Sequence, residues 1–338
     1  MKKILMLTTG GTISSVNTEE GLKPAGSGEI LKRIDAQRLP FDLRAKDLMT
    51  LDSTNIQPEE WKTIAEATFS AMKEYDGIVI THGTDTMAYT ASMLSFMLKN
   101  PTVPVVFTGS QIPISEPETD AVSNIYTAFS MATNGPAGVY IAFNRKIILG
   151  TRGVKTRTSS YGAFESINLQ YAGFVDKNGL NIDENVLPPH KVSEPPSLDT
   201  DIETKVFLLK LTPGTDPNII DLLLDSGIKG IVIEAFGTGG IQIVRRDFSK
   251  KIELAINRNV PVIVCTQCLY EGSDFSLYEV GRKAIEKGAI QAFDMTTEAT
   301  ITKLMWGLAH YHTVTDIKKF FRTSVANEID LKHIKDLN

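Results

Sequence analysis

Short apolar runs that end in a polar, glycine-, serine- or threonine-rich loop recur along the first half of the chain, and they constrain its fold more than any other feature. Such runs begin at Lys3, Gly77 and Pro104, and another ends at the turn that starts with Asp52. The loop after the Gly77 run leads directly into an apolar segment of helical length that begins at Met87. Strands and helices in this order predict a parallel sheet covered on both faces.

A proline-rich stretch divides this pattern into two parts. The chain has 338 residues, which is long for a single core, and residues 185–203 contain four prolines and little periodicity. Beyond them the alternation resumes, with strands predicted near Val206–Leu211, Gly230–Ala235 and Val260–Thr266 and helices near Asp216–Asp225, Phe248–Asn259 and Thr296–His310. We therefore predict an N-terminal domain over residues 1–184, a linker over residues 185–203 and a C-terminal domain over residues 204–338. The predicted fold class is α/β, with a larger N-terminal open sheet of flavodoxin- or Rossmann-like type and a smaller C-terminal α/β domain.

The loops after the strands are the predicted place for a ligand. In an open parallel sheet the crevice lies outside the carboxyl ends of the strands, so the loops beginning at Thr8, Asp52, Thr81 and Thr108 are expected to converge on one pocket. Residues 14–28 are rich in serine, glycine and proline, which predicts a mobile loop beside that pocket.

The turn Gly10-Gly11-Thr12 has three interpretations. It is compatible with an ordinary tight turn after a strand. A phosphate cradle is disfavoured, because the segment lacks both the dinucleotide and the P-loop glycine patterns. In the third interpretation Thr12 is a nucleophile or a hydroxyl that binds substrate.

Thr84, Asp85 and Lys155 form a possible catalytic set with Thr12. Taken singly, Asp85 is equally compatible with a helix N-cap, and Lys155 with a solvated loop residue. Together the four residues offer hydroxyl, amine and carboxylate groups, a combination that suits acyl transfer. A threonine hydroxyl needs a neighbouring base, which a lysine or a hydroxyl relay to a lysine supplies.

The composition argues against several other classes. The net charge of −5 and the lack of a long Lys/Arg run predict no nucleic-acid or membrane partner. The apolar run after Lys3 is too short for a signal peptide, which predicts a cytoplasmic location. Cys265 and Cys268 have the spacing of a redox pair or half a metal site, but Cys265 ends an apolar strand and further ligands are not evident.

Several motifs together resemble the bacterial and archaeal L-asparaginase family, of the cytoplasmic type I kind. The resemblance covers essentially the whole chain, and the two threonine motifs are its most specific part. The matching segments are Thr9–Ile13, Asp76–Thr90, Thr108–Gln111, Phe164–Asn168, Thr266–Gln267 and Asp294–Thr296.

The resemblance implies hydrolysis of the side-chain amide of L-asparagine to L-aspartate and ammonia, through an acyl-enzyme intermediate on a threonine. L-glutamine presents the same amide with one more methylene, so the sequence leaves both open as substrates. Thr12 would be the nucleophile, and Thr84 the second catalytic threonine, coupled to Lys155. No cofactor or metal is implied. The family also implies a homodimer or homotetramer in which the second domain of one subunit closes the site of its neighbour.

Substrate contacts are implied in the same way. Asp85 would hold the α-ammonium group of the substrate. Ser53 would hold its α-carboxylate, with Asp52 and Thr54 beside it in the same turn. Backbone N–H groups near Thr12 and Thr84 would form the oxyanion hole, a use that fits the permissive geometry of Gly11 and Gly83.

The sequence departs from the family at one position. The family usually carries a tyrosine in the mobile loop, hydrogen-bonded to the nucleophilic threonine, whereas the matching residue here is Leu22. This leaves open which group activates Thr12, and Tyr161, Tyr270 and Tyr278 are candidates from other loops or from a partner subunit.

Two alternative functions stay open at this point. One is the asparaginase-like subunit of an archaeal tRNA-dependent amidotransferase, which shares these motifs. An early first strand and an acidic balance disfavour it, because that family has an extra N-terminal region and contacts RNA. The other is a non-catalytic amino-acid-binding homologue, and the presence of Thr12, Thr84 and Lys155 argues against it.

Overall fold

The chain forms two compact units, Met1–Thr200 and Asp201–Asn338. The computed structural model describes residues 1–19, 21–187 and 194–330. Residues 188–193 of the predicted linker lie outside the described part. The α/β fold class predicted from the sequence is confirmed, with a larger mixed sheet in the first unit and a smaller parallel sheet in the second.

The first unit is built around an eight-stranded sheet. Its strands lie in the order β13-β12-β9-β8-β7-β5-β1-β4. The strands of this unit are β1 (Lys3–Gly10), β2 (Val16–Thr18), β3 (Gly21–Lys23), β4 (Asp42–Leu51), β5 (Gly77–Thr81), β6 (Leu98–Lys99), β7 (Pro104–Thr108), β8 (Gly138–Phe143), β9 (Lys146–Leu149), β10 (Gly153–Lys155), β11 (Phe164–Ser166), β12 (Gly173–Asp176), β13 (Gly179–Ile182) and β14 (Ser197–Leu198).

Four neighbouring strands of this sheet carry the loops singled out above. β4, β1, β5 and β7 lie side by side and pair in parallel, so their carboxyl ends share one edge. The other end of the sheet differs from a purely parallel arrangement, because β8, β9, β12 and β13 pair antiparallel. The short loop at Asn144 and Arg145, both with positive φ, makes the reversal between β8 and β9.

Helices cover this sheet. They are α1 (Gly28–Arg33), α2 (Pro58–Ala71), α3 (Met87–Met97) and α4 (Ala121–Asn134). Helix α2 begins as its sequence predicts, with a proline in the first turn and a capping box between Gln57 and Glu60. The spacing of apolar residues predicts one buried face that runs from Trp61 to Tyr75. Trp61, Ile64, Ala65, Thr68 and Met72 are buried, whereas Tyr75 is partly exposed. Met72 is the C-cap of α2, and Tyr75 lies beyond the end of the helix.

The segment predicted as a mobile loop contains a β-hairpin. β2 and β3 pair antiparallel, which places Asn17 opposite Leu22. The residues on either side of the hairpin are joined by a hydrogen bond, because Ser14 Oγ donates to the carbonyl of Ala25 at 2.6 Å. A local backbone pairing of this kind leaves no apolar periodicity, since its side chains are largely exposed.

The second unit contains a four-stranded parallel sheet in the order β15-β16-β17-β18. Its strands are β15 (Val206–Lys210), β16 (Gly230–Ala235), β17 (Val262–Thr266) and β18 (Ile290–Gln291). Its helices are α5 (Ile219–Asp225), α6 (Phe248–Asn257), α7 (Glu279–Glu286), α8 (Thr297–His310) and α9 (Val314–Phe321). The sequence predicts the first three strands and α5, α6 and α8, whereas α7 and α9 are additional.

Part of the predicted linker is structured within the first unit. Ser197 and Leu198 form β14, which pairs antiparallel with β6. The ion pair between Lys99 and Asp199, at 2.8 Å, lies next to this pairing. Among the described residues, no helix is long and apolar enough to cross a membrane.

Candidate active site

Two glycines bring the loops after β1 and β5 into backbone contact. Gly11 has φ 79°, and a Cβ at this position would lie 2.4 Å from the amide nitrogen of Gly83. A Cβ at Gly83 would in turn lie 2.5 Å from the hydroxyl oxygen of Ser53. Only glycine permits this approach, so three loops meet at the carboxyl edge of the sheet.

Thr12 follows this contact and begins a short 3₁₀ helix, Thr12–Ser14, directly after β1. Its carbonyl accepts the N–H of Ser15 at 3.0 Å, which closes the turn. The N–H of Gly11 donates to the carbonyl of Leu51 at 3.0 Å and fixes this loop against the end of β4. Thr12 is partly exposed.

Thr84, Asp85 and Lys155 come together in one hydrogen-bonded group. Lys155, the last residue of β10, donates from Nζ to Thr84 Oγ1 at 2.7 Å and to Asp85 Oδ1 at 2.6 Å. Thr84 is buried, Lys155 is mostly buried and the Asp85 side chain is 55% exposed. A hydroxyl bonded to an amine is the arrangement of a proton relay, and the exposed carboxylate beside it is accessible to a ligand cation.

The turn after β4 lies beside this group. Ser53 is buried, and its hydroxyl accepts the N–H of Asp85 at 3.3 Å, while its carbonyl accepts the Thr86 hydroxyl at 2.7 Å. Asp52 and Thr54 bond to each other instead: Asp52 Oδ1 accepts from the Thr54 amide at 2.9 Å and from its hydroxyl at 2.7 Å. Ser53 is thus the member of the turn that contacts the loop after β5.

His82 supports the loop from the buried side. Its Nδ1 donates to the carbonyl of Gly83 at 2.7 Å, and its Nε2 lies 3.0 Å from the hydroxyl of Thr90, which also accepts from Trp61 Nε1. Burial lowers the pKa of His82 to about 4, although the Gly83 carbonyl favours the charged form. His82 is therefore a neutral structural residue near pH 7.

Leu22 is half-exposed in β3 and cannot donate or accept a hydrogen bond through its side chain. Among the tyrosine candidates, Tyr161 donates from its hydroxyl to the carbonyl of Glu118. Tyr270 and Tyr278 lie in the second unit and are exposed.

The two cysteines are both free, with Cys265 buried and Cys268 exposed. Burial, together with the charge of Glu234, raises the pKa of the Cys265 thiol to about 12. A thiol with so high a pKa is a poor redox nucleophile. Within residues 1–19, 21–187 and 194–330, no group of three or more His, Cys, Asp or Glu side chains is arranged to hold a metal ion.

Sequence reasoning did not assign a role to Gln111. It follows β7, next to β5 in the sheet, and its Oε1 accepts the hydroxyl proton of Thr84 at 3.2 Å. The signal that identifies it is positional, because a polar side chain directly after a strand next to β5 lies at the same edge as Thr84.

Both units match models of known families. Residues 3–187 match the model described as Asparaginase, N-terminal, and residues 205–321 match the Glutaminase/Asparaginase C-terminal domain. The chain belongs to the asparaginase family. The family resemblance predicted from the motifs is thereby confirmed.

Individual relatives within the asparaginase family cover nearly the whole chain. An L-asparaginase of Thermococcus kodakarensis is 44% identical over 97% of this chain and 99% of its own length. The thermostable L-asparaginase structure from that organism superposes with a TM-score of 0.92 and covers 97% of this chain and 99% of its own. L-asparaginase I from Vibrio cholerae superposes with a TM-score of 0.88 at 29% identity, over 98% and 99% of the two chains.

Other relatives, at lower identity, carry a different name. The D subunit of the glutamyl-tRNA(Gln) amidotransferase of Pyrococcus furiosus is 37% identical over 96% of this chain, which covers 76% of that protein.

Proposed function

We propose that this chain hydrolyses the side-chain amide of L-asparagine to L-aspartate and ammonia, with Thr12 as nucleophile and Thr84 and Lys155 as the proton relay. The observation that carries the proposal is the contact of Lys155 Nζ with both Thr84 Oγ1 and Asp85 Oδ1, at 2.7 and 2.6 Å. Lysine, hydroxyl and carboxylate are joined in one loop cluster of a chain that belongs to the asparaginase family.

The chemistry follows from the nature of these groups. The Thr12 hydroxyl attacks the amide carbonyl, and its proton is taken up by the relay as the tetrahedral intermediate forms. The same proton is then delivered to the amide nitrogen, the carbon–nitrogen bond breaks and ammonia leaves. Water attacks the resulting Thr12 ester, releases aspartate and returns a proton to Thr12. Backbone N–H groups beside Thr12 and Thr84 are proposed to stabilise the oxyanion.

Substrate recognition is proposed for the turn after β4 and the loop after β5. Asp85 has an exposed carboxylate that suits the α-ammonium group, and Ser53 is close enough to accept the N–H of Asp85. The hydroxyl of Ser53 is proposed to turn towards the α-carboxylate, with Asp52 and Thr54 shaping its turn. Glutamine presents the same groups with one additional methylene, a difference of about 1–3 kcal/mol in a fitted pocket.

A second candidate function is supply of ammonia to a tRNA-dependent amidotransferase. The similarity to amidotransferase proteins, such as the 37% identity to the Pyrococcus furiosus chain, favours it over unrelated activities. The higher identity to the Thermococcus kodakarensis L-asparaginase favours free asparagine hydrolysis. A non-catalytic amino-acid-binding homologue is the third, and the joined relay argues against it.

The proposal is tested by ammonia release from purified protein with L-asparagine or L-glutamine, with aspartate measured in parallel. Thr12→Ala is expected to lower kcat by on the order of 10³-fold or more while substrate binding and the melting temperature stay nearly unchanged. Thr12→Ser, which keeps a hydroxyl, is the matched control. An active Thr12→Ala enzyme, or a wild type without turnover, refutes the proposal.

The assembly and location are proposed from family membership and from the sequence. The family resemblance supports a homodimer or homotetramer located in the cytoplasm. The net charge of −5 supports the absence of a nucleic-acid or membrane partner.

A further inference from the structure

The hydroxyl of Thr84 has two hydrogen-bonding neighbours with opposite roles. Lys155 Nζ donates to Thr84 Oγ1 at 2.7 Å, and Thr84 Oγ1 donates to Gln111 Oε1 at 3.2 Å. A hydroxyl has one proton to donate, so in this arrangement the Thr84 proton points to Gln111 and away from Lys155.

The orientation of the Gln111 amide follows from its other contact. Gln111 Nε2 donates to the backbone carbonyl of Ser160 at 3.4 Å, in the hairpin loop that follows Lys155. A carbonyl only accepts, so the NH₂ group faces Ser160 and the Oε1 atom faces Thr84. One side chain therefore contacts both the relay hydroxyl and the loop that leads away from the relay lysine.

The backbone of Gln111 is held firmly. The carboxylate of the buried Asp120 accepts the N–H of Gln111 through both oxygens at 3.1 Å and the N–H of Ile112 at 3.1 Å. Asn124 Nδ2 donates to Asp120 Oδ2 at 3.0 Å and to the carbonyl of Gly109 at 3.0 Å. These contacts fix the start of the side chain, so its acceptor oxygen has a defined position.

We propose that Gln111 is a positioning residue that acts through Thr84. Its Oε1 accepts a hydrogen bond from the Thr84 hydroxyl whenever Lys155 is protonated, and so determines which way that hydroxyl points in the relay. When the relay acts as a general base, Thr84 Oγ1 takes the proton of the attacking hydroxyl, and the proton that Thr84 held passes to the neutral Lys155 Nζ. The new ammonium then donates to Thr84 Oγ1, and the remaining hydroxyl proton needs another acceptor. Gln111 supplies it, and the reverse transfer delivers a proton to the leaving nitrogen.

Removal of the Gln111 acceptor is expected to change kcat and its pH profile in a way that a folding defect does not. In Gln111→Met the protonated relay loses its partner, so kcat for L-asparagine falls about tenfold while KM changes less than about twofold. The acid limb of the kcat profile moves to lower pH. In Gln111→Glu the acceptor is kept and becomes negative, so the acid limb moves to higher pH.

Ser160→Ala is the matched control, because Gln111 uses the carbonyl of Ser160 and not its hydroxyl. It is expected to leave kcat and the pH profile unchanged. Thermal unfolding of each variant separates a folding defect from a shift of the acid limb. Unchanged kcat in Gln111→Met, or acid limbs that fail to move in opposite directions in the two Gln111 variants, overturns the proposal.

The kinetic part rests on the proposed function, so a second readout is independent of it. The rate of Lys155 acetylation by acetic anhydride, followed by mass spectrometry across pH, reports the protonation of that amine without substrate. Asp85, whose carboxylate pairs with the same Nζ at 2.6 Å, is present in every variant, so a difference between variants reports the change at Gln111. Its midpoint is expected to move down in Gln111→Met and up in Gln111→Glu. These shifts support the role of Gln111 even if the wild type releases no ammonia, and their absence refutes it even if the wild type is active.

Discussion

At the residue scale, the proposed chemistry depends on the contact between Thr84 and Lys155, with 2.7 Å between Oγ1 and Nζ. The two residues lie 71 positions apart in the chain. In the proposed relay neither side chain transfers a proton without the other. Groups that act as a unit give non-additive losses on mutation. This property separates a shared relay from two independent roles.

We expect Thr84→Val and Lys155→Met each to lower kcat by on the order of 10²-fold or more, and the double variant to be little worse than either. Steady-state kinetics of all four proteins tests this. Lys146 and Tyr171 form a similar lysine–hydroxyl contact, 2.9 Å long, elsewhere in the unit. The pair Lys146→Met and Tyr171→Phe is therefore the control and should leave kcat unchanged. Multiplying losses at Thr84 and Lys155 would show separate roles.

At the scale of elements, the β2–β3 hairpin carries the departure from the family. The segment that follows the hairpin is attached to the sheet, because Asp47 of β4 accepts from the Ser27 amide at 2.8 Å as well as from Thr8 Oγ1 of β1 at 2.7 Å. Burial works to raise the pKa of Asp47, but these hydrogen bonds outweigh it and hold the pKa below its ordinary value. Asp47 is thus charged and holds the segment at neutral pH.

We expect Leu22→Tyr to raise kcat for L-asparagine by at least about tenfold with a smaller effect on KM, because a phenol that supports Thr12 acts mainly in the transition state. Leu22→Phe adds the same ring without the hydroxyl and should have no such effect. If kcat of a folded Leu22→Tyr variant is unchanged, another group already assists Thr12. Phenylalanine variants of Tyr161, Tyr270 and Tyr278 would then identify it.

Helix α8 contains a glutamate, Glu298, whose pKa is shifted by burial. Burial, reinforced by the charge of Glu234, raises the pKa of Glu298 in its first turn to about 7, although its own backbone N–H favours the charged form. Because the folded pKa lies above the ordinary glutamate value of 4.5, the contribution of this group to stability is full below about pH 4.5 and is lost as pH rises to about 7.

Glu298→Gln is therefore expected to be more stable than the wild type at pH 8, by on the order of 2 kcal/mol, and nearly equal to it at about pH 4.5. Urea unfolding at both pH values measures this difference. Glu279→Gln removes an exposed glutamate from the first turn of α7 and is the matched control. Equal stabilities of Glu298→Gln and wild type at pH 8 would contradict the assignment.

At the scale of the whole molecule, the prediction concerns assembly. The family resemblance implies that a neighbouring subunit completes each site. Specific activity is then expected to fall on dilution in step with dissociation of the oligomer, because a partner that binds the folded chain acts by mass action. Activity and sedimentation measured over the same concentration range test this. A monomer that retains full activity would contradict it.

Much of the first unit can be predicted from local sequence. Short apolar runs identify β1, β5 and β7, because a strand buried on both faces needs apolar side chains at consecutive positions. The glycines and threonines that follow them identify the edge that carries the candidate site, and the spacing of apolar residues predicts the buried face of α2. The candidate residues Thr12, Thr84, Asp85 and Lys155 come from these loops and from motif resemblance.

The sequence by itself thus determined the α/β class, the family and the loops that carry the candidate site. Only the tertiary structure decided the antiparallel end of the first sheet, the hairpin at Leu22, the neutral state of His82 and the contact of Gln111 with Thr84. The physical reason is distance along the chain: Gln111 lies 27 positions from Thr84, and Lys155 lies 71. Periodicity reports how one segment is buried, whereas a hydrogen bond between loops depends on which strands become neighbours.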